Sequence, residues 1–179
     1  MNTWIGIAGL GVLLGGVGPD GGPPPPVDRD WPALRLAQAA VGAPDAFAVT
    51  EVGLVVQVDG VTVMVDPVGP QSAYLRFGRP DVVILTRADP AHLSVETMIG
   101  LLRRDTVVLA PRAVIDRLPA MIANNVVTPF EAGTTQMADG IRFRALDADA
   151  GVPAGARAYA RERGDIGVVM EAAAGAFFF

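Results

Sequence analysis

Cysteine and lysine are both absent from this 179-residue chain, and histidine occurs once, at His92. Without cysteine there are no disulfides, no thiolate metal ligands and no thiol nucleophile. Without lysine, Schiff-base chemistry and a lysine-bearing phosphate loop are excluded; all 14 basic residues are arginine. A single imidazole is too few for the multi-histidine sets that hold zinc in most hydrolases. Serine is nearly as scarce, with Ser72 and Ser94 alone, and neither lies in a G-x-S-x-G elbow. Aromatic residues make up only 6% of the chain, so a core must rest on Val, Ala, Leu and Ile. The basic residues are outnumbered by 19 acidic ones, the net charge is −5, and no basic run exists. Nucleic-acid backbones, which need clustered cations to displace counterions, are therefore not an expected partner.

What is present is apolar and heavily punctuated: 51% hydrophobic residues, 21 Gly and 15 Pro. An uncharged run from Trp4 to Gly18 opens the chain. Its length suits a secretory h-region or membrane-associated anchor and falls short of the roughly 20 residues that span a bilayer. No Lys or Arg precedes it, however, and it reads equally as a Gly-rich apolar arm. Gly9-Leu10-Gly11 after a strand-like Trp4-Ile5-Gly6-Ile7 hints at a dinucleotide turn, but Pro19 and Gly21-Gly22-Pro23-Pro24-Pro25-Pro26 stop the helix which that turn needs. The four prolines make a semi-rigid linker. Residues 1–26 are thus expected to be an arm and linker, and 27–179 a domain. Export or membrane anchoring follows if the arm is a targeting segment, and a cytoplasmic location otherwise.

Within the domain, Asp30 is placed to cap a helix running through Pro32, Leu34, Leu36 and Ala37. Leu54 to Val58 and Val61 to Val65 are β-rich and flank Asp59-Gly60, a two-residue hairpin signal because both turn positions favour positive φ. Asp81 to Thr86 is a short apolar run of the kind buried on both faces of a sheet. Ser94 then caps a helix whose Val95, Met98, Ile99 and Leu102 share one face, with Glu96 in its first turn and Arg103-Arg104 in its last. Thr106 to Ala110 predicts a strand, and Pro111 a short helix through Val114, Ile115 and Leu118. Strands are expected at Val126 to Phe130, Ile141 to Ala145, Ile166 to Glu171 and Gly175 to Phe179, with a long loop from Asp147 to Asp165. The order specifies an α/β layered domain with a mixed sheet.

Several of these segments resemble one superfamily. A hairpin closing on Val65-Asp66-Pro67, the run Pro80-Asp81-Val82-Val83-Ile84-Leu85-Thr86, a helix, and Thr106-Val107-Val108-Leu109-Ala110-Pro111 resemble metallo-β-lactamases, most of all the branch typified by ascorbate-6-phosphate lactonase. The resemblance runs from about Ala48 to Phe179. It implies a metallo-β-lactamase-like layered fold with a mixed β-sheet and flanking helices. In that branch the strand corresponding to 81–86 ends in T-H-x-H-x-D-H-L-S, whose His and Asp residues bind metal. Here, aligned on Thr86 and His92-Leu93-Ser94, the loop reads Thr86-Arg87-Ala88-Asp89-Pro90-Ala91-His92. Arg87 and Asp89 stand at the two earlier histidine positions, Ala91 at the aspartate position, and only His92 is kept. The upstream histidine turn falls near Glu51-Val52-Gly53, again without histidine. Asp165 to Phe179 is similar to the segment before a metal-binding Gly-Asp turn, so the domain is expected to be truncated there.

The resemblance therefore implies ancestry and fold more than activity. The expectation is a degenerate metallo-β-lactamase-fold protein without metal-dependent hydrolysis and without a cofactor, acting as a binding or structural module. The alternative is a metal-dependent hydrolase of the lactonase or phosphodiesterase type with an altered ligand set. Asp66, Asp89 and His92 would then hold zinc, manganese or iron, since two carboxylates and an imidazole can bind a divalent ion. Both aspartates precede proline and are equally ordinary turn residues. Arg87, with Arg76 or Arg79 near it in sequence, is the candidate for an anionic ligand, or a partner for Asp89. The apolar Gly175-Ala176-Phe177-Phe178-Phe179 end is expected to present an edge to another segment, a partner strand or a second copy of the chain.

Overall fold

The computed structural model describes residues 5–6, 34–37, 45–148, 164–173 and 175–178. Among the described residues, twelve strands fall into two sheets. The larger is built in the spatial order β2 (Leu34–Ala37), β3 (Asp45–Ala48), β4 (Leu54–Val58), β5 (Val61–Val65), β6 (Val82–Ile84), β7 (Val107–Ala110) and β8 (Val127–Pro129). Its first four strands are antiparallel neighbours, and β5 through β8 run parallel. Parallel pairing requires a crossover between strands, and short helices supply it. These are α1 (Gln71–Leu75) after β5, α2 (Val95–Leu101) after β6, and α3 (Arg112–Ile115) with α4 (Ala120–Val126) after β7. The smaller sheet has the order β1 (Ile5–Gly6), β12 (Gly175–Phe178), β11 (Ile166–Ala172), β10 (Ile141–Asp147) and β9 (Thr135–Ala138).

Side-chain alternation explains why the large sheet is apolar on both faces. Val56, Val58, Val63, Val65, Val82 and Ile84 point one way, into a core shared with Ile141, Phe143, Ala145, Val168, Met170 and Phe177 of the small sheet. Val55, Met64, Val83, Leu85 and Val108 point the other way, onto Tyr74, Met98, Leu101, Val114, Leu118 and Ile122 of the helical layer. Each such side chain, fully buried, contributes about 1.5–3 kcal/mol of transfer free energy. In β10 the same alternation buries Ile141, Phe143 and Ala145 and exposes Arg142 and Arg144.

The β4–β5 hairpin closes on Asp59 and Gly60 at φ 52° and 81°, as expected for that dipeptide. Asp139-Gly140 closes β9 on β10 with φ 48° and 79°, a second turn of the same kind. Other expectations are corrected. Leu34–Ala37 is a strand, not part of a helix: it pairs antiparallel with β3 from Leu34↔Ala48 to Ala37↔Ala46, with a register shift between. A two-residue alternation next to a partner strand outcompetes a short helix that would bear its own nucleation cost. Helix α2 begins at the Ser94 cap but ends at Leu101, so Arg103 and Arg104 lie beyond its last turn. Arg103 instead pairs with Asp81 at 3.0 Å and Asp105 at 3.2 Å. Of the expected Val95-Met98-Ile99-Leu102 face, Met98 is buried and Val95 and Leu102 pack partly against the core, but Ile99 is 56% exposed, and Thr97 and Leu101 complete the buried side. The Thr97 hydroxyl donates to the Gly69 carbonyl at 2.7 Å, which lets a polar residue face inward.

The edge of β12 lies beside Ile5–Gly6 of the same chain, in parallel register Ile5↔Phe177 and Gly6↔Phe178. The rest of the 4–18 run, the 26/27 boundary and most of the 147–165 loop lie outside the described residues. Among the described residues no helix is long and apolar enough to cross a membrane.

Candidate functional site

The end of β5 and the end of β6 meet at Asp66. Parallel pairing sets Val65 opposite Ile84, and the chain then turns sharply at Asp66, whose φ is 42°. Left-handed backbone suits Asp or Asn better than most residues, because the short polar side chain can bond locally. The carboxylate is buried and its two oxygens are both engaged. Oδ1 accepts the Thr86 backbone N–H at 2.7 Å, and Oδ2 accepts the Thr86 hydroxyl. His92 Nδ1 lies 2.9 Å from Oδ2. A carboxylate only accepts, so Nδ1 is the donor in this bond. The imidazole side chain is 19% exposed.

The loop between Thr86 and His92 is held by its own turn. The Asp89 carboxylate accepts the Ala91 N–H at 3.0 Å, and the Asp89 carbonyl accepts those of His92 and Leu93. This local Asx turn explains why Asp precedes Pro90. Arg117, just after α3, donates to the Ala88 carbonyl at 2.8 Å. On the other side, the Arg87 Nε lies 3.9 Å from Asp165 Oδ2 at the start of β11, and Ile166 N–H donates to the Thr86 carbonyl at 3.0 Å. The loop is thereby tied to both sheets.

Behind Asp66, Tyr74 is fully buried. Its hydroxyl donates to the Val68 carbonyl at 2.8 Å and accepts the Val68 N–H at 3.0 Å. Burial pushes this phenol's pKa above 10.0, the Asp66 charge acts in the same direction, and hydrogen bonds to Thr50 and Val68 act against them. The turn at Glu51-Val52-Gly53 packs on the same hydroxyl: a Cβ on Gly53 would lie 1.9 Å from Tyr74 Oη. Tyr74 was not singled out in the sequence, where a lone Tyr in Gln71-Ser72-Ala73-Tyr74-Leu75 carries no motif.

Of the candidate metal ligands, the fold brings Asp66 and His92 together, while Asp89 closes its own turn. Among the described residues, no group of three His, Asp or Glu side chains is placed to hold a metal ion. Among the described residues the donors do not make up a metal centre: the Asp66 carboxylate is engaged by three hydrogen bonds, Asp89 closes its own turn, and the Arg87 guanidinium follows Thr86 directly. Arg76 lies over the Phe77 ring at 4.8 Å and Arg79 donates to the Gly100 carbonyl at 2.9 Å, so each is engaged on its own helix neighbourhood. Ser94 acts as the α2 cap, accepting from Thr97 N–H at 3.3 Å. An open depression of about 460 Å³ beside the site is lined by Gly69, Pro70, Gln71, Ser94, Glu96 and Thr97.

No family model matches the sequence. No curated protein matches it either. Solved structures do. A protein from Parabacteroides distasonis classed as a metal-dependent hydrolase matches with TM-score 0.56 and 18% identity, over 71% of this chain and 55% of that one. The chemotaxis sensor ODP, solved as a peroxy diiron species, matches with TM-score 0.53 and 14% identity, over 75% and 57%. CmlA, a diiron β-hydroxylase from Streptomyces venezuelae, matches with TM-score 0.52 and 16% identity, over 79% and 30%. The chain thus spans little more than half the length of the first two and under a third of CmlA. At these identities the likeness is one of fold, and the fold is the metallo-β-lactamase-like layered architecture expected from the sequence.

Proposed function

We propose that this chain is a degenerate metallo-β-lactamase-fold module that binds or scaffolds rather than hydrolyses, with no resident metal. The observation that carries this reading is the Asp66 carboxylate, whose oxygens are engaged by Thr86 N–H, Thr86 hydroxyl and His92 Nδ1. A carboxylate used this way orients an imidazole, as second-shell carboxylates do beside metals, but here one histidine is all there is to orient. Arg87 supports the same reading, because a fixed cation next to a divalent ion raises the energy of the bound state. It is also the residue most suited to an anionic ligand, since 38% of its side chain is exposed and a guanidinium offers paired donors.

The test is turnover of a panel of lactones, phosphodiesters and thioesters by the purified chain supplemented with zinc, manganese or ferrous iron. The lactones follow from the lactonase-branch resemblance. No turnover above that of His92→Ala is expected. A metal-dependent rate that His92→Ala abolishes would instead establish an altered-ligand hydrolase.

A further inference from the structure

We infer that the Arg87–Asp165 ion pair does the mechanical work of a metal: it clamps the 86–92 loop of the large sheet to the start of β11 in the small sheet. This rests on the metal-free reading above. Arg87 stands at the first histidine position of the resembling motif, directly after the Thr86 that Asp66 anchors. Its Nε is buried and has no hydrogen-bond acceptor, and Asp165 Oδ2 lies 3.9 Å from it. The Asp165 side chain is 5% exposed. A carboxylate so withdrawn from water is stabilised by nearby positive charge, and Arg87 contributes to it.

The pair is placed to act as a clamp because of what flanks it. Thr86 and Ile166, one residue to either side, share a backbone hydrogen bond of 3.0 Å between the two sheets. Gly164, at φ 65°, turns the chain into Asp165, and Arg117 holds Ala88 from the helical layer. Arginine keeps its charge at every physiological pH. A clamp built on it works without metal supply.

A double-mutant cycle in urea tests the clamp. Arg87→Met and Asp165→Asn are each expected to raise the unfolding equilibrium constant about tenfold, and the double variant clearly less than about a hundredfold. Arg87→Lys, which keeps the charge, should stay within about threefold of the parent. Hydrogen exchange at the Ile166 amide should quicken in Arg87→Met more than at Val56 or Met64. Multiplying single effects, or an Arg87→Lys as damaged as Arg87→Met or unable to fold, would overturn the clamp while leaving the metal-free reading intact. Zinc, manganese or ferrous iron stabilising the parent would overturn the metal-free reading even with a coupled cycle.

Discussion

Removing the Asp66 carboxylate should cost this fold more than almost any other single polar change. In Asp66→Ala two Thr86 donors, the backbone N–H at 2.7 Å and the hydroxyl, lose their acceptor in a site where Thr86 is 6% exposed. Each buried donor left unsatisfied costs about 1–3 kcal/mol. Alanine must also adopt the 42° φ of Asp66, adding roughly 1 kcal/mol. The sum is about 3–7 kcal/mol, a large part of the 5–15 kcal/mol typical of a domain. Asp66→Asn is isosteric and tolerates left-handed backbone, and its oxygen can keep the Thr86 N–H. Its NH2 cannot accept, so the Thr86 hydroxyl and His92 Nδ1 must turn to accept from it and the charge assistance is lost, about 1–2 kcal/mol. Urea denaturation with an unchanged slope measures both. Because the chain has one histidine, nitrogen NMR reads its tautomer without assignment, and the Nδ1–H form should dominate only while Asp66 is present. An Asp66→Ala cost below about 1 kcal/mol, or equal to that of Asp66→Asn, would refute this reasoning.

Two further outcomes follow from Tyr74. Its pKa is raised in the folded state, so its contribution to stability is intact below pH 10 and is lost as pH climbs through 10 toward the raised folded value. Stability measured by urea midpoint should therefore fall above about pH 10. Tyr74→Phe should flatten that dependence while losing the two Val68 hydrogen bonds at every pH; no lysine titrates in that window to obscure it. An unchanged alkaline slope in Tyr74→Phe would count against the assignment. Gly53→Ala should destabilise by about 1–3 kcal/mol, because the new methyl would overlap a hydroxyl that is buried and bonded and has nowhere to swing. A neutral Gly53→Ala in thermal melts would mean that Tyr74 is not held as described.

The central strands were readable because they are buried on both faces: continuous apolar runs at 54–58, 61–65, 81–86 and 106–110 have no rival use in a chain so poor in aromatics. Ser94 and Asp59-Gly60 were readable because capping and positive φ leave local signatures. On α2 the expected face held for Val95, Met98 and Leu102 but not for Ile99; Thr97 faces inward instead, because its bond to Gly69 depends on a loop distant in sequence. Leu34–Ala37 followed a helix-start signal at Asp30 and lost to pairing with β3, which no local pattern reports. Strands β3 and β9 and helices α1 and α4 were not identified from the sequence; for β9, Asp139-Gly140 was an available hairpin signal. At the site, the sequence marked Asp66, Arg87, Asp89 and His92. It could not say that Asp66 would reach His92 while Asp89 turned on itself, because that follows from the parallel register of β5 and β6.

Metal content measures the central proposal most directly. The chain is purified without chelators from cells grown with zinc, manganese and iron, and analysed by inductively coupled plasma mass spectrometry. A metal-free fold held by Asp66, Thr86 and His92 predicts substoichiometric amounts of all three metals, unchanged in Asp66→Asn. One metal ion per chain, lost together in Asp66→Asn and His92→Ala, would contradict it.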